Sequence, residues 1–578
     1  MKAAGAASVQ SRAIAPSNTS RAWLWIGAVL IVCITELAYV PAMRGGFIWD
    51  DDSYIINNPT LRTADGLRQI WLVPGATPQY YPMVFTTFWI EYQLWELHPA
   101  GYHIVNVALH IVAAVLVWTV LARLGFGAGV AWVCAAIFAV HPVHAESVAW
   151  ITERKNVLSA VFYLLSLLIA VRFFRLHDQS AALSPSRSQQ KQIARKNARR
   201  QSPARNVLAY ILMLALFIAA LLSKSVTCSL PAVIALLIWW MRGRISIMEW
   251  LALAPMFVVG LVFALNTVAV EQRHVGVESI HLDYSFIERC QIAGRAIWFY
   301  VGTVLWPHPI VFIYPRWYVS ASIWWQYLFP AAVVIIIVAL WLLRTRIGRG
   351  PLVAVLIFCG TLVPALGFID VYPMVYSFVA DHFQYLASIS LIVLFVATAA
   401  QMLRRWPALR IGLSAIVIAG LALLCFREGF KYSDLVALWT DTIDKNPRAA
   451  MAQTNLGNIY LTEQSRPEEA AALYRGVLSM NDPGLHPIVI SKAHYMLGMY
   501  LINSGRRQEA LAEFQKATAL TPDQPRCYYG EGFALETLGR LDEAIAKFQR
   551  ALELRPGLPQ ATEAMSRAKQ ARDAASGS

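Results

Sequence analysis

The chain has 578 residues, of which 57% are apolar and only 15% are Asp, Glu, Lys or Arg, and its mean hydropathy is +0.48. A soluble chain carries about 25% charge, so a single water-facing globule is excluded, and so much apolar surface also excludes disorder over most of the length. The net charge of +14 does not point to nucleic acid, because many of the basic residues stand in short runs between apolar stretches, as they do in loops that flank membrane spans.

What remains is an all-α polytopic membrane protein with a soluble part attached. The seven Cys are scattered and form no CxxC pair, so neither a disulfide framework nor a zinc knuckle is expected.

Residues 1–21 read as a cytoplasmic tail, with Lys2, Arg12 and Arg21 as its basic flank. The run 22–40 is longer than the h-region of a cleaved signal peptide and reads as a retained first span. Further apolar runs follow at 103–121, 129–146, 155–173, 207–223, 227–241, 250–270, 323–343, 351–368, 385–401 and 411–427, which makes eleven candidate spans in a membrane domain 22–430. The connections assigned to the inside are all basic, as the positive-inside rule requires. They hold Arg123, the run 174–206, Arg242 with Arg244, Arg344 to Arg349, and Arg404 to Arg410.

Residues 286–306 are apolar enough to cross but contain Glu288, Arg289 and Arg295. A full crossing would put Arg344 to Arg349 outside. This segment is therefore expected to lie at the external surface, or to be re-entrant, within the loop 271–322. The odd number of spans then places the C-terminal part outside, which is the periplasm in a bacterium or the lumen in a eukaryotic cell.

From residue 433 the pattern becomes charged, Ala-rich and helical. Gly505, Arg506, Ala510, Phe514, Ala517 and Pro522 recur as Gly539, Arg540, Ala544, Phe548, Ala551 and Pro556. A 34-residue period with these residue types is that of tetratricopeptide repeats. An earlier copy holds Leu456, Gly457, Tyr460, Ala470 and Tyr474, and 433–448 read as the second helix of a degenerate leading repeat. The small residues are expected to let paired helices approach, with the aromatic filling the groove. The repeat domain is drawn at 433–557, with 558–578 as a flexible tail. Such stacks take a peptide or protein partner, so chemistry is sought in the membrane half.

There, polar residues stand in three external loops. Loop one, 41–102, carries Trp49-Asp50-Asp51-Asp52-Ser53-Tyr54; crowded carboxylates raise at least one pKa, and one held near a hydroxyl can accept its proton. The second carries His141, His144 and Glu146, then Glu153-Arg154-Lys155-Asn156. Its spacing matches no zinc motif, whereas Arg154 and Lys155 suit a lipid phosphate. Lys224 sits between two apolar segments, where a lysine either snorkels or marks a site. The loop 369–384 supplies Asp381 and His382, followed by Tyr385, and residues 306–318 supply Arg316.

In order along the chain stand Phe47-Ile-Trp-Asp-Asp-Asp52, Asn58-Pro59, Tyr81-Pro82, Pro99-Ala-Gly-Tyr-His-Ile-Val-Asn106, His110, His141-Pro-Val-His-Ala-Glu-Ser-Val148, Glu153-Arg-Lys-Asn156, Lys224 with Pro231, and Ala380-Asp-His-Phe-Gln-Tyr385. This order, with the repeats behind it, resembles the transmembrane and tetratricopeptide-repeat-containing family of protein O-mannosyltransferases and its bacterial relatives, over most of residues 40–560.

That family looks like the C-type glycosyltransferases. The resemblance implies a helical membrane bundle that uses a polyprenyl-phosphate-linked sugar as donor and attacks it with an acceptor outside the cytoplasm, with inversion at the anomeric carbon. It implies a base among Asp50, Asp51 and Asp52, with Asp51 favoured. It implies donor-phosphate cations among Arg154, Lys155, Lys224 and Arg316. The cavity or acceptor-positioning residues would come from Tyr54, Tyr81, His103, His141, His144, Glu146, Asp381, His382 and Tyr385. No metal ligand set or cofactor follows from it, and metal dependence stays open. The Ala-rich, Arg-rich soluble part and the Pro and Trp usage lean toward a bacterium, hence an inner membrane with periplasmic repeats. A glycolipid or polysaccharide glycosyltransferase, and a non-catalytic repeat scaffold, are the other two readings.

Overall fold

The computed structural model describes residues 21–176, 203–274, 284–480 and 485–576. Most of the basic run 174–206, part of 271–322 and the N-terminal tail before residue 21 lie outside these. Among the described residues there is no strand. Seven helices are long and apolar enough to cross a membrane, a bent pair at Ala128–Val140 and Pro142–Ala149 is a possible eighth, and three shorter apolar helices are Asn206–Leu221, Gly350–Ala365 and Ser388–Met402. Together they occupy every apolar run read from the sequence.

Burial sorts these helices into centre and rim. In Pro99–Arg123 and Ile151–Phe173, 50% and 67% of the apolar window is buried, against 6% in Trp324–Leu343 and Pro407–Tyr432. The rim helices present Ile335, Leu342 and Ile416 outward. An apolar outer surface fits a bilayer, since lipid tails are as apolar as leucine. At the centre, Pro99–Arg123 packs along Arg154–Phe173 and Ala128–Val140, and the first helix, Arg21–Tyr39, packs on Pro99–Arg123, Ala128–Val140 and Pro407–Gly429.

The charged segment forms one helix, Phe286–Leu305, started by a capping box of Ser285 and Glu288. Both its ends meet loops at the same end of the bundle. Arg289 donates to the Gly367 carbonyl at 2.8 Å and to Asp370 at 2.7 Å, and His141 Nε2 lies 3.0 Å from the Val304 carbonyl. His144 and Ser388, 2.9 Å apart, tie these two loop regions together. Contacts of this kind suit a helix lying across the end of the bundle.

After Tyr432 the chain turns into Leu435–Lys445, whose N-cap Asp434 accepts from the Ala437 N–H at 2.8 Å. Antiparallel pairs follow: Ala450–Thr462 with Pro467–Leu478, Pro487–Asn503 with Arg507–Leu520, and Pro525–Thr537 with Leu541–Leu554. The helix Pro559–Ser576 packs on the last pair and buries Ala561, Ala564 and Ala568. The expected flexible tail is thus a helix as far as residue 576, because its small residues recur on one face.

The repeat glycines divide differently from expectation. Gly505 and Gly539 have φ of +76° and +77°, with open space around the position of a Cβ; they end helices in the left-handed conformation. The close approaches belong to Gly457, Gly498 and Gly532, where a Cβ would stand 2.6, 2.7 and 2.6 Å from the rings of Tyr474, Phe514 and Phe548. Gly532→Val should therefore overpack the third pair and cost about 1–3 kcal/mol. Gly539→Ala should cost about 1–2 kcal/mol, through φ alone. Thermal unfolding of the repeat signal in detergent checks both; a Gly532→Val protein as stable as the parent would show that the ring of Phe548 yields.

Candidate functional site

Three consecutive carboxylates in loop one meet three different environments. Trp49 adopts φ +50°, and the chain then enters a π-helical turn, Asp52–Ile56. Asp51 points inward and is fully buried. Its Oδ2 accepts from the Ile48 N–H at 2.9 Å, and its Oδ1 accepts from the Thr152 N–H at 2.9 Å and the Thr152 hydroxyl at 2.6 Å. Burial pushes its pKa up to about 7 against the pull of those donors. Both oxygens are engaged, so the expectation that Asp51 offers a free basic oxygen to an acceptor is not met by this geometry.

Asp52 is exposed and Asp50 is half-buried. Burial raises Asp50 to about 6, with Lys155 opposing and Glu153 adding to the shift.

Beside Asp50 lies a connected polar cluster. Glu153 Oε1 stands 2.9 Å from Lys155 Nζ, and its Oε2 stands 3.3 Å from Lys224 Nζ. Lys224 also donates to Asn156 Oδ1 at 2.6 Å. Asn156 Nδ2 donates to Glu153 Oε2 at 2.6 Å, to the Ser147 hydroxyl at 3.0 Å and to the His382 carbonyl at 3.1 Å. Glu146 closes the chain, with Oε1 2.8 Å from His382 Nδ1 and Oε2 accepting the His382 N–H at 3.0 Å.

Lys155 Nζ stands 5.7 Å from the centroid of the Tyr54 ring, and the Tyr54 hydroxyl donates to Gln79 at 2.6 Å. Tyr81 acts on both Lys155 and Tyr54 electrostatically. Two ammonium groups thus share one carboxylate, and Lys155 and Lys224 keep 12% and 13% of their side-chain surface open. Burial depresses the pKa of Lys224 despite Glu153, as for a cation taken out of water.

The structure brings Asp50, Tyr54, Tyr81, Glu146, Lys155, Lys224 and His382 into this neighbourhood and places the other candidates elsewhere. Arg154 is completely buried. It pairs with Glu91 through both terminal nitrogens, binds Asn106, donates to Thr87 at 3.1 Å and to the Tyr102 carbonyl at 2.9 Å, and lies 5.0 Å from the centroid of Phe88. It fastens the helix Pro82–Trp95 of loop one to the bundle, and with its donors so engaged it is not a phosphate ligand.

Arg316 donates to the Met374 carbonyl at 3.1 Å and the Tyr284 hydroxyl at 3.2 Å. It lines a separate 230 Å³ pocket at the seam with the repeats, away from the polar cluster. His141 and His144 are buried core residues; His141 Nε2 meets the Val304 carbonyl and His144 Nδ1 the Phe138 carbonyl. Tyr385 lies 2.6 Å from His110 Nδ1, and His103 is buried 3.4 Å from the Gly46 carbonyl. These four pack the interior, and all of them are buried. Asp381 accepts from the Tyr314 hydroxyl at 2.8 Å, and burial raises its pKa to about 8. Among the described residues no group of three His, Cys, Asp or Glu is arranged to hold a metal.

Glu153 and Asn156 are the members of the cluster that were not singled out from sequence, although both stand in the quoted Glu153-Arg-Lys-Asn156 motif. Their spacing was the available signal: residues three apart share a helix face, whereas Arg154, one position on, points the other way.

An apolar crevice of 540 Å³ lies between the helices Pro99–Arg123, Arg154–Phe173, Leu230–Arg242, Gly350–Leu362 and Ser388–Met402. Its lining runs from Leu386 to Met402, roughly 24 Å of helix axis, and includes Tyr163, about 12 Å along the axis from Lys155.

A tetratricopeptide-repeat family model matches residues 432–484 and 495–559. The chain is 31% identical over 156 residues to the Caenorhabditis elegans protein O-mannosyl-transferase F38B6.6, covering 25% of this chain and 23% of that one. It is 33% identical over 184 residues to the human protein O-mannosyl-transferase TMTC4, covering 28% and 24%. Mouse protein O-mannosyl-transferase TMTC1 matches at 34% over 168 residues, covering 27% and 17%. The match spans about a quarter or less of these relatives' length. The resemblance to the transmembrane and tetratricopeptide-repeat-containing family, drawn from motif order, agrees with this partial similarity to named protein O-mannosyl-transferases and with the matched repeat region.

Arg154→Ala would leave Glu91 buried without its cation, a loss of about 3–5 kcal/mol. Lys155→Ala, at a partly open position, should leave the fold intact. Thermal unfolding of the two purified variants in detergent separates these roles; equal stability would show that Glu91 finds another partner.

Proposed function

We propose that this membrane protein is a glycosyltransferase that moves a sugar, mannose in the named relatives, from a polyprenyl-phosphate donor to a hydroxyl of a protein acceptor outside the cytoplasm. The observation that carries the reading is a set of charges at one end of the bundle: a half-buried carboxylate, Asp50, with its pKa raised to about 6 by burial against the pull of Lys155, and the ammonium groups of Lys155 and Lys224 paired to one Glu153. The apolar crevice below them suits a polyprenyl chain. The helices and the curated similarity support the membrane and transferase parts; the donor and inversion are what the resemblance to C-type glycosyltransferases implies, and the orientation follows from the basic connections assigned to the inside.

In this mechanism the acceptor oxygen attacks the anomeric carbon from the face opposite the phosphate. The carbon–oxygen bond to the phosphate breaks as the new glycosidic bond forms, and the phosphate oxygen keeps the bonding pair. Asp50 takes the hydroxyl proton. Lys155 and Lys224 hold the charge that develops on the departing polyprenyl phosphate, an electrostatic role that works best in a water-poor site. Glu153 and Asn156 keep the two lysines in place. The chain is read as lying in a bacterial inner membrane with its N-terminus inside and the repeats outside, where they take a protein or peptide partner.

Three measurements test this. Asp50→Asn should lower transfer of labelled sugar from polyprenyl phosphate by roughly 10²–10⁴-fold, the scale of general acid–base catalysis, with insertion unchanged; full turnover would remove Asp50 from the mechanism. Transfer to lipid or polysaccharide in place of protein would favour an envelope glycosyltransferase, and absence of any transfer would favour the scaffold.

A group that must be ionised to act, with a pKa of about 6, predicts that kcat/KM falls as pH drops through that value and levels off above it; a flat profile between pH 5 and 8 would contradict the assignment. Lastly, a reporter fused after residue 440 should be active only in its exported form, and cytoplasmic activity would reverse the orientation.

A further inference from the structure

The roof over Asp50 is not built by the membrane domain alone. Trp49, the residue before it, holds φ +50°, a conformation that a bulky side chain keeps only when its surroundings impose it. Two rings pack against it here. Trp439 stands 4.5 Å from Trp49, centroid to centroid, and Phe312 stands 6.1 Å away, with 5.7 Å between Phe312 and Trp439.

Trp439 is 1% exposed and belongs to Leu435–Lys445, the first helix of the repeat region. That helix is fixed from both sides. The Gly46 N–H donates to the Ser433 carbonyl at 2.8 Å, and Lys431 and Lys445 reach the Ile310 carbonyl at 3.4 and 3.1 Å. Asp50 follows Trp49 directly in the chain. A continuous series of contacts therefore leads from the repeats to the residue before the carboxylate.

We propose that Trp439 is a positioning residue for Asp50: by clamping Trp49 in its left-handed conformation, the first repeat helix holds the carboxylate in place and keeps water from it, so the membrane site is complete only when the repeats are seated. The role in catalysis rests on the reading of Asp50 as base; the clamp itself does not. The charged and titratable groups acting on Asp50 are Lys155 and Glu153 from the turn and helix behind it, and Asp52 and Tyr54 from its own loop.

Burial is the largest influence on Asp50, and Lys155 opposes it. Loosening the clamp admits water and lowers the pKa overall.

The test compares Trp439→Leu and Trp439→Phe in the full chain, each confirmed as folded by its thermal transition. In an Asp50→Cys background, labelling of residue 50 by a polar maleimide is followed by peptide mass spectrometry. Trp439→Leu should speed labelling several-fold, and Trp439→Phe should keep it near the parent rate. Phe312→Leu, which loosens the same clamp from the membrane side, should also speed labelling and substitutes if Trp439→Leu is unstable.

In the Asp50 chain, Trp439→Leu should lower turnover by roughly 10²-fold, the scale of an ångström-sized misplacement, and move the acid limb of the pH profile below that of the parent, with partial rescue by Phe. Unchanged labelling in folded Trp439→Leu and Phe312→Leu would overturn the proposal. Faster labelling in a parent that transfers no sugar would leave the clamp standing and remove the transferase reading.

Discussion

A carboxylate taken out of water must be met by donors, and Asp51 is met by three: the Ile48 N–H, the Thr152 N–H and the Thr152 hydroxyl. That requirement pulls the start of loop one onto the turn before the helix Arg154–Phe173. Everything polar at this end of the bundle depends on the junction. It puts Asp50 in reach of Lys155 and Glu153, and it makes Trp49 face outward toward the repeats. Arg154 reinforces it from within, since its pairing with Glu91 brings the helix Pro82–Trp95 against the same wall.

The cluster above that junction shows how one end of a membrane bundle can hold several charges together. Glu153 is shared between two lysines, and Asn156 spans from Lys224 to the His382 carbonyl. Asp50 acts with Lys155 and Glu146 with Lys224, so the charges balance within a network of hydrogen bonds, whereas Arg154 with Glu91 is a single closed pair.

The repeats meet this end through aromatic contact as well as hydrogen bonds. Trp439 and Phe312 against Trp49, and Lys431 and Lys445 at Ile310, join the two regions into one packed surface. The stack itself is held by rings set against glycines, with Tyr474, Phe514 and Phe548 filling the space that Gly457, Gly498 and Gly532 leave. Its leading helix packs through Trp439 on the residue before Asp50.

Sequence alone determined the helical class, the apolar runs and the repeat period, because these follow from local composition and periodicity: a long apolar run needs a bilayer, and a 34-residue recurrence needs a stacked partner. Which carboxylate of Asp50-Asp51-Asp52 is buried, and which of Arg154 and Lys155 stays open, was decided only by the tertiary structure. Adjacent residues on a turn or helix point in different directions, so identical side chains acquire opposite roles from what lies across from them. The same holds for the glycines: Gly539 and Gly532 look alike in the chain, yet one is required by a backbone angle and the other by a ring brought from the next helix.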